Sequence, residues 1–393
     1  MEFPILSLIT WTPFISALII MAFARHRPLL VRMTGVIGSS ITLVASTWLY
    51  FAYDHVKNGF QFHESFPLVP SVGIHYLLAV DGWGLVLVLL TAIILFAGSF
   101  ASWTVKTRGQ EFYALLLLLV TGVYGVFVSL DLFVFFLFYE IAVLPMYLLI
   151  GIWGSSGYVQ PQGIFGWAFG RTGVGSKEDA AMKLTLYLLF GSAFILVGIL
   201  ALYVTGGSRS FSFLDFQQMQ FDPTLQSWVF LAFYVGFGIL AAIWPFHTWS
   251  PDGHASAPTA VSMLHAGVLM KLGAYGVVRL GIGLLPDAAG DRSGTAGDGD
   301  GSVKLLVIGE STIAGLGART HEFALTGQFA QRLSDRIDKK VSWHVIGKNG
   351  VTARRTIDEL FPQIPDETYD YVLIGLGGND VMKLSSPRKW RRD

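Results

Sequence analysis

Eight long apolar stretches occupy the first three quarters of this chain of 393 residues. A helix needs roughly 20 mostly apolar residues to cross the hydrocarbon core of a bilayer. A soluble, closely packed helical core is the competing explanation, but eight consecutive stretches with few interior charges favour membrane spans. We therefore predict an all-α polytopic membrane helix bundle of about eight spans: Ile5–Phe23, Val36–Tyr53, Val80–Trp103, Phe112–Leu130, Leu132–Trp153, Leu184–Val204, Trp228–Phe246 and Pro258–Leu285.

Charge divides the chain into two unlike parts. The whole chain has 27 basic and 27 acidic residues and no cysteine. Residues 1–286 hold 12 of each sign, whereas the 107 residues that follow hold 15 of each. The composition excludes a wholly soluble chain, a disulfide scaffold, a cysteine-based zinc site and a net-basic protein that binds nucleic acid. It predicts a transmembrane domain at 1–286, a flexible Gly/Asp-rich linker at 287–302 and a second domain at 303–393.

Basic residues in the loops predict the orientation of the bundle, because cytoplasmic loops are enriched in Lys and Arg. The second and sixth loops carry only Lys57 and Arg209, and the fourth carries none. We therefore expect the N-terminus outside and, after eight spans, the C-terminal tail outside as well. The basic residues of the first, third and fifth loops are Arg25, Arg27, Arg32, Lys106, Arg108, Arg171, Lys177 and Lys183.

Two charged side chains lie deep within predicted spans. Glu140 lies in the fifth span and Lys271 in the eighth, about 12 Å and about 20 Å from the start of each at 1.5 Å per residue. Charges at this depth are costly and usually mark ion pathways or paired sites. An acid and a base within reach of one another could load and release protons in the membrane. A static buried pair, or a lysine that snorkels to the interface, is the alternative.

The seventh predicted span is broken near its end. It contains Pro245, which removes a backbone donor, and such breaks inside membranes are typical of transport sites. Three histidines, His247, His254 and His265, follow in sequence. Histidine titrates near neutral pH, so this group suits a proton relay. Each histidine taken singly is more often a hydrogen-bonded packing residue. Their spacing is not that of a metal site, and we predict none.

Several long motifs resemble one family of membrane proteins. They are VDGWGLVLVLLTAI at 80–93, FYEIAVLPMYLLIGIWG at 138–154 and WPFHTWSPDGHASAPTAVSMLHAGVLMKLGAYG at 244–276. These motifs resemble chain M of bacterial NADH-quinone oxidoreductase, an antiporter-like, proton-translocating subunit of respiratory complex I. By motif position, Glu140 matches the fifth-helix glutamate of the family, Lys271 its eighth-helix lysine, and Pro245 the break in its seventh helix.

The resemblance implies a role in a larger assembly. NADH and quinone would be used by the complex, and no cofactor would be bound by this chain. The partners would be the other membrane-arm subunits and the lipid bilayer, in the bacterial cytoplasmic (inner) membrane. The family commonly has a lysine before the helix break, where this chain reads GILAA at 238–242. The family also has a second half of inverted-repeat architecture. We therefore expect proton pumping by this chain to be impaired. A cation/proton antiporter subunit is a further alternative.

The tail predicts a different fold. Buried strands are expected at Lys304–Gly309, Val341–Ile346 and Tyr371–Gly375, with helices at Glu322–Lys340 and Thr352–Leu360. Alternating strands and helices predict a small three-layer α/β domain with a parallel sheet.

Polar residues follow each strand of the tail, where such sheets carry their chemistry. Their order resembles the SGNH (GDSL-like) esterase family. That resemblance implies that Ser311 is the catalytic nucleophile and that Gly350 and Asn379 line the oxyanion hole. The chain has no Asp-x-x-His motif to supply the family's base, so we expect an incomplete and inactive hydrolase. A membrane-tethered serine esterase is the alternative, and a gene rearrangement or assembly error would explain the fusion.

Overall fold

The computed structural model describes residues 3–24, 27–55, 57, 59–156, 176–207, 210–219, 221–285, 293–309, 325–347 and 353–376. The chain divides into two compact units. The membrane unit comprises Met1–Phe221 and Trp228–Leu284, and the tail unit comprises Asp222–Ser227 and Leu285–Asp393.

The membrane unit is a bundle of long apolar helices, as the sequence predicts. Seven helices in the described ranges are long and apolar enough to cross a membrane. They make this a multi-pass membrane protein. These seven are α1 (Ile5–Phe23), α2 (Pro28–Ala52), α3 (Gly82–Ala101), α4 (Gly109–Val128), α5 (Leu132–Trp153), α6 (Lys177–Gly206) and α10 (Thr259–Ile282). Three shorter helices lie between α6 and α10: α7 (Phe213–Gln218), α8 (Pro223–Leu240) and α9 (Trp249–Ser256).

The seventh predicted span differs from its prediction. The sequence predicts a helix over Trp228–Phe246, but α8 ends at Leu240, and this apolar helix is shorter than the seven long ones. The eighth predicted span is confirmed as α10. That helix contains two π-helical turns, His265–Leu269 and Val277–Ile282. Each π turn accommodates one extra residue, and such turns occur frequently at functional sites.

A β-hairpin that the sequence does not predict connects α2 to α3. Strands β1 (Gln61–Val69) and β2 (Ile74–Val80) pair antiparallel. The Glu64 carboxylate accepts hydrogen bonds from the Leu6 and Ser7 amides, at 2.7 and 3.0 Å. These are unpaired donors of the first turn of α1, so the hairpin caps that helix.

Acidic residues at span boundaries begin the helices that follow them. Asp131 is fully buried and precedes α5. Its Oδ1 accepts from the Phe133 and Val134 amides at 3.0 Å each, and its Oδ2 accepts from the His75 amide at 2.9 Å. Asp131 therefore caps α5 and also fixes the start of the second hairpin strand. A side-chain oxygen in this position satisfies helix donors that would otherwise be buried without a partner.

Close helix packing in the bundle depends on glycine. A Cβ atom on Gly122 of α4 would lie 2.5 Å from the Ala142 nitrogen of α5. A Cβ on Gly273 of α10 would lie 2.4 Å from the Ala241 nitrogen, at the end of α8. Real Cβ atoms do not come this close to backbone, so both positions require glycine.

The tail unit holds a four-stranded sheet of order β3-β5-β4-β6. Its strands are β3 (Ser293–Ala296), β4 (Ser302–Gly309), β5 (Lys340–Gly347) and β6 (Tyr371–Gly375). Strand β4 pairs parallel with β5 and with β6, as predicted, but β3 pairs antiparallel with β5, so the sheet is mixed. The two predicted helices are α11 (Leu325–Ile337) and α12 (Ala353–Glu359).

Both faces of the central strand β4 are covered. Leu305 and Val307 pack with Ala330 of α11 on one face. Leu306 and Ile308 pack with Leu360 on the other. Alternate residues of β4 therefore point into two apolar clusters, as the period of a strand requires.

The predicted flexible linker at 287–302 is wrong over part of its length. Ser293–Ala296 forms the strand β3, which pairs antiparallel with β5. A Cβ on Gly294 would lie 2.3 Å from the Trp343 ring, and one on Gly299 would lie 2.5 Å from Asp338 backbone. Glycine is present at these positions because the chain approaches its neighbours closely, and composition cannot distinguish that use of glycine from flexibility.

Candidate functional site around the discontinuous helix

The predicted helix break is present, but it begins before the proline. Helix α8 ends at Leu240, and Pro245 lies exposed in the segment between that residue and the start of α9 at Trp249. The Trp249 ring is fully buried, and its indole N–H donates to the Ile239 carbonyl at 2.9 Å. The same carbonyl accepts from the Ala242 amide at 3.1 Å, so an indole and a tightened last turn together satisfy the end of the interrupted helix.

A lysine from the neighbouring helix binds the start of α9. The Lys183 ammonium donates to the Thr248 carbonyl at 2.8 Å and to Asp252 Oδ2 at 2.7 Å. The two side chains are about one third exposed, at 36% and 28%. Tyr187, one turn along α6, shares a hydrogen bond of 3.0 Å between its hydroxyl and that of Thr248. Sequence analysis counted Lys183 only as a loop cation, because no local signal connects it to Asp252.

Two of the three predicted histidines meet beside the break. His265 is fully buried in the first π turn of α10. Its ring stacks on His254, with centroids 4.0 Å apart, and on Trp249, with centroids 5.1 Å apart. His254 Nδ1 lies 3.1 Å from the Ser262 hydroxyl oxygen, within hydrogen-bonding distance. Neither ring nitrogen of His265 has a hydrogen-bond partner among the described residues.

The third histidine does not join this stack. His247 is exposed in the short 3₁₀ turn before α9, apart from the two stacked rings. Backbone geometry explains the difference, since α9 presents His254 and Trp249 to α10, whereas His247 precedes that helix.

Glu140 is half-buried on α5 and faces α6. The Ser192 hydroxyl of α6 lies near its carboxyl group and donates to the Leu189 carbonyl at 3.0 Å. The carboxyl Oε1 and the hydroxyl of the adjacent Tyr139 are both buried, and neither has a partner among the described residues. Buried polar atoms without protein partners usually bind ordered water. The polar wall on α5 and α6 is therefore suited to hold water next to a carboxyl group.

Glu140 and Lys271 make no direct contact among the described ion pairs and hydrogen bonds, so a link between them through water stays a prediction. Lys271 is exposed, and its ammonium donates to the Ala266 carbonyl at 3.0 Å. The described residues contain no ion pair between the two side chains. Ala266 lies in the first π turn of α10, so the lysine binds backbone of its own helix. Depth along a span does not fix the direction of a side chain, and the π turn changes that direction further.

A buried ion pair near the far end of α10 was also missed. Arg279 Nη2 lies 2.6 Å from Asp81 Oδ1, with the side chains only 16% and 17% exposed. The guanidinium lies 4.9 Å from the ring centroid of Phe60 and 5.1 Å from that of Tyr275. The face of an aromatic ring attracts a cation. The sequence placed Asp81 and Arg279 at the ends of different spans and gave no signal that they meet.

The predicted hydrolase residues Ser311, Gly350 and Asn379 lie outside the described residues. The strands that precede them are described. Gly309, Gly347 and Gly375 end β4, β5 and β6 in one aligned register. No group of three or more potential metal ligands occurs within the described ranges of the chain.

Together, the long helices, the break between α8 and α9 and the titratable side chains around it define the class. This is a polytopic helical membrane protein with a discontinuous helix. Residues 170–289 match the family described as "NADH:quinone oxidoreductase/Mrp antiporter, TM". The NADH:quinone oxidoreductase named in this description agrees with the family that the sequence motifs resemble.

Curated relatives agree with that match. The chain is 38% identical over 289 residues to NAD(P)H-quinone oxidoreductase chain 4 3 of Picosynechococcus sp., covering 73% of this chain and 49% of the relative. It is 32% identical over 286 residues to chain 4 of Gloeobacter violaceus, covering 73% and 50%. The chain therefore spans about half the length of the curated relatives it matches. These relatives are named chain 4, so the assignment to chain M stays a prediction.

Two solved structures share the fold. A chain of respiratory complex I from Thermus thermophilus with bound NADH aligns with a TM-score of 0.61 at 24% identity, covering 72% of this chain and 54% of that one. A chain of an archaeal membrane-bound sulfane sulfur reductase aligns with a TM-score of 0.58 at 22% identity, covering 72% and 42%. The family match ends at residue 289. The resemblance of 303–393 to SGNH esterases therefore stays a prediction.

Proposed function

We propose that this chain is a membrane subunit of a proton-pumping NADH:quinone oxidoreductase, respiratory complex I, and carries protons through its bundle. The similarity to NAD(P)H-quinone oxidoreductase chain 4 supports the assignment. The observation that carries the mechanism is the buried His265, stacked on His254 beside the interrupted helix, with both ring nitrogens open. NADH and quinone would react in other subunits, and this chain binds no cofactor of its own.

The histidine pair would carry one proton at a time. Two imidazolium rings with centroids 4.0 Å apart would repel one another strongly at low dielectric. A proton that enters on one ring therefore lowers the affinity of the other ring for a second proton. The Ser262 hydroxyl fixes the orientation of His254, and His265 offers free ring nitrogens to water.

Glu140 would supply the acidic end of the path. Its free Oε1 and the neighbouring Tyr139 hydroxyl provide positions for water, and the Ser192 hydroxyl of α6 lies near the carboxyl group. Lys271 would act on the exposed face of α10, where its ammonium binds the Ala266 carbonyl. A proton would pass between these groups through water rather than through a direct Glu140–Lys271 contact.

The proposed partners and membrane location follow from the similarity to NAD(P)H-quinone oxidoreductase chain 4. The partners would be the other membrane-arm subunits, and the location would be the bacterial cytoplasmic membrane. The N-terminus would lie outside, as the basic loops predict. The tail would follow on the outside if α8, the break and α9 together count as one crossing.

The test uses inverted membrane vesicles from cells in which the full chain is the only copy of this subunit. Proton uptake driven by NADH is followed by quenching of an acridine dye, and NADH oxidation is measured in parallel. Glu140→Gln is expected to abolish proton uptake, because an amide cannot exchange a proton. Glu178→Gln, the same change at an exposed position in the first turn of α6, is the matched control.

A second variant tests the histidine stack. His265→Phe keeps an aromatic ring between Trp249 and His254 but has no titratable nitrogen. We expect a loss of proton uptake of at least tenfold with normal protein levels. Unchanged uptake in both Glu140→Gln and His265→Phe would reduce these residues to packing roles and overturn the proposed path.

A cation/proton antiporter subunit is the second candidate, because the matching family description includes Mrp antiporters. Vesicles with an imposed pH gradient distinguish the two. Proton release that requires added sodium, with no dependence on NADH, would favour the antiporter.

The tail carries a separate candidate function. Strands β4, β5 and β6 end in aligned register, and Ser311, Gly350 and Asn379 follow these strands in the sequence. We expect little or no esterase activity without a catalytic base. Turnover of short acyl esters that is lost in Ser311→Ala would instead establish a membrane-tethered esterase.

A further inference from the structure

A concave basic cavity opens between the start of α2 and the start of α4. Its volume is about 360 Å³, and four cationic residues line it, Arg27, Arg32, Lys106 and Arg108. One acid, Glu111, also lines it and pairs with Arg108. The remaining three cations give the cavity a net positive charge. Arg27 and Lys106 are exposed and have no acidic partner among the described residues.

Two helices begin in this cavity without a side-chain cap. The N-cap residues Arg27 of α2 and Arg108 of α4 make no side-chain capping hydrogen bond. The first amide groups of a helix point outwards and carry partial positive charge, so they attract anions. The positive ends of two helix dipoles therefore add to the field of the four cationic side chains.

An apolar groove continues from the same residues. A second cavity of about 380 Å³ shares Arg108 and Glu111 with the basic cavity. Its other lining residues are apolar side chains of α1, α4 and α5, among them Leu18, Leu115 and Leu118. From Glu111 to Leu118 the groove follows α4 for about 10 Å at 1.5 Å per residue. That length fits part of one acyl chain.

Tryptophans place this pair of cavities at the membrane surface. The guanidinium of Arg32 lies 5.7 Å from the ring centroid of Trp103, and that of Arg108 lies 5.7 Å from the ring centroid of Trp153. The Trp153 indole N–H donates to the Thr107 carbonyl at 2.7 Å. Tryptophan is enriched at the interface between acyl chains and headgroups. Both loops that form the cavity are also those that the basic residues predict to be cytoplasmic.

We propose that these two cavities form one binding site for an anionic phospholipid. The headgroup phosphate binds between Arg27, Arg32 and Lys106, and one acyl chain lies in the groove beside Leu18 and Leu115. Basic pockets between membrane helices on the cytoplasmic side bind such headgroups. A soluble phosphate would use the basic cavity alone, and the adjoining groove therefore favours a lipid.

The test uses the full-length chain in nanodiscs of phosphatidylcholine that contain fluorescent phosphatidylglycerol at a low mole fraction. Energy transfer from tryptophan to the labelled lipid reports occupancy. The double variant Arg27→Gln/Lys106→Gln is expected to lower the affinity for phosphatidylglycerol by about tenfold or more, because each cation near a lipid surface contributes appreciably. Lys57→Gln, an exposed lysine in a different loop, is the charge control and is expected to change nothing.

The groove is tested separately. Leu18→Phe narrows it from an exposed position without adding an energy donor, and Leu144→Phe, also exposed on α5 and outside both cavities, is its control. We expect Leu18→Phe alone to weaken binding of the labelled lipid. Equal loss in a variant and its control, equal binding of labelled phosphatidylcholine, or displacement of the lipid by millimolar inorganic phosphate would each overturn the proposal.

Discussion

Charged residues in the interior of the membrane unit differ in their surroundings from an exposed ion pair of the tail unit. In the membrane unit, Asp131 is fully buried and held by backbone donors, and the Asp81–Arg279 pair is mostly buried and lies against aromatic faces. In the tail unit, the Lys304–Glu367 pair lies at the surface, with the side chains 47% and 54% exposed. A charge withdrawn from water requires fixed partners, whereas an exposed charge is solvated whether or not it is paired. Four changes, taken from the largest expected effect to the smallest, test this contrast.

The largest effect is expected for Asp131→Ala. The change leaves the amides of His75, Phe133 and Val134 buried without an acceptor, which costs about 3–5 kcal/mol in the free energy of unfolding. Thermal unfolding in detergent and peptide-level hydrogen exchange measure the loss. Asp131→Asn, which keeps one acceptor oxygen, is the control and should lose much less. Equal losses in both variants would show that charge rather than hydrogen bonding holds this junction.

A smaller loss is expected when the Asp81–Arg279 pair is broken. Arg279→Leu leaves Asp81 partly buried without its cation and removes the guanidinium from the Phe60 and Tyr275 rings. We expect a loss of about 2–3 kcal/mol. Asp81→Asn and the double variant complete a double-mutant cycle, and a coupling energy near zero would mean that the two side chains act independently.

In the tail unit, the largest effect should come from packing rather than charge. Gly294→Ala places a Cβ against the Trp343 ring and should cost about 1–3 kcal/mol. Faster hydrogen exchange in β3 and β5 would report the loss. Ser293→Ala, at the exposed neighbouring position, is the control. If the amide hydrogens of β3 and β5 exchange at the same rate in Gly294→Ala as in the parent chain, residues 293–296 are the flexible linker that composition predicts.

The smallest effect is expected for Glu367→Gln. The Lys304 ammonium lowers the pKa of the Glu367 carboxyl, first through their hydrogen bond and then through charge attraction. Any stability from this pair is present above the ordinary carboxyl pKa and disappears as the pH falls through the lowered value. Because both groups are solvated, melting temperatures of the parent and of Glu367→Gln should coincide at pH 7. A clear drop would show that exposed pairs stabilise the tail unit after all.

Most of the correct predictions rest on the length of the apolar stretches and on the periodicity of the strands. Seven long helices and the parallel strands are recognisable because hydrophobic burial imposes patterns on neighbouring residues. The hairpin was missed because its strands lack clean alternation, since Phe66, Leu68 and Val69 are exposed beside buried Ile74 and Leu78. The helix break was identified from its proline, although the last helical residue lies earlier, at Leu240.

The sequence does not show which residues from distant segments are in contact. His265 was a candidate by residue type, but its stack on Trp249 and His254 depends on how α9 packs on α10. The Lys183–Asp252 pair joins residues 69 positions apart. The absence of a direct ion pair between Glu140 and Lys271 could not be foreseen, because depth in a span does not determine which face of a helix a side chain occupies.

The two π-helical turns of α10 change which of its residues lie on the same face of the helix. A residue advances an ordinary helix by about 100°. One additional residue in His265–Leu269 therefore rotates everything after it by roughly that angle, and Val277–Ile282 repeats the offset. A helical wheel of constant pitch through this segment assigns Lys271 and Arg279 to the wrong sides. Removing a single residue from the first π turn would swing the Lys271 ammonium away from the face it now occupies.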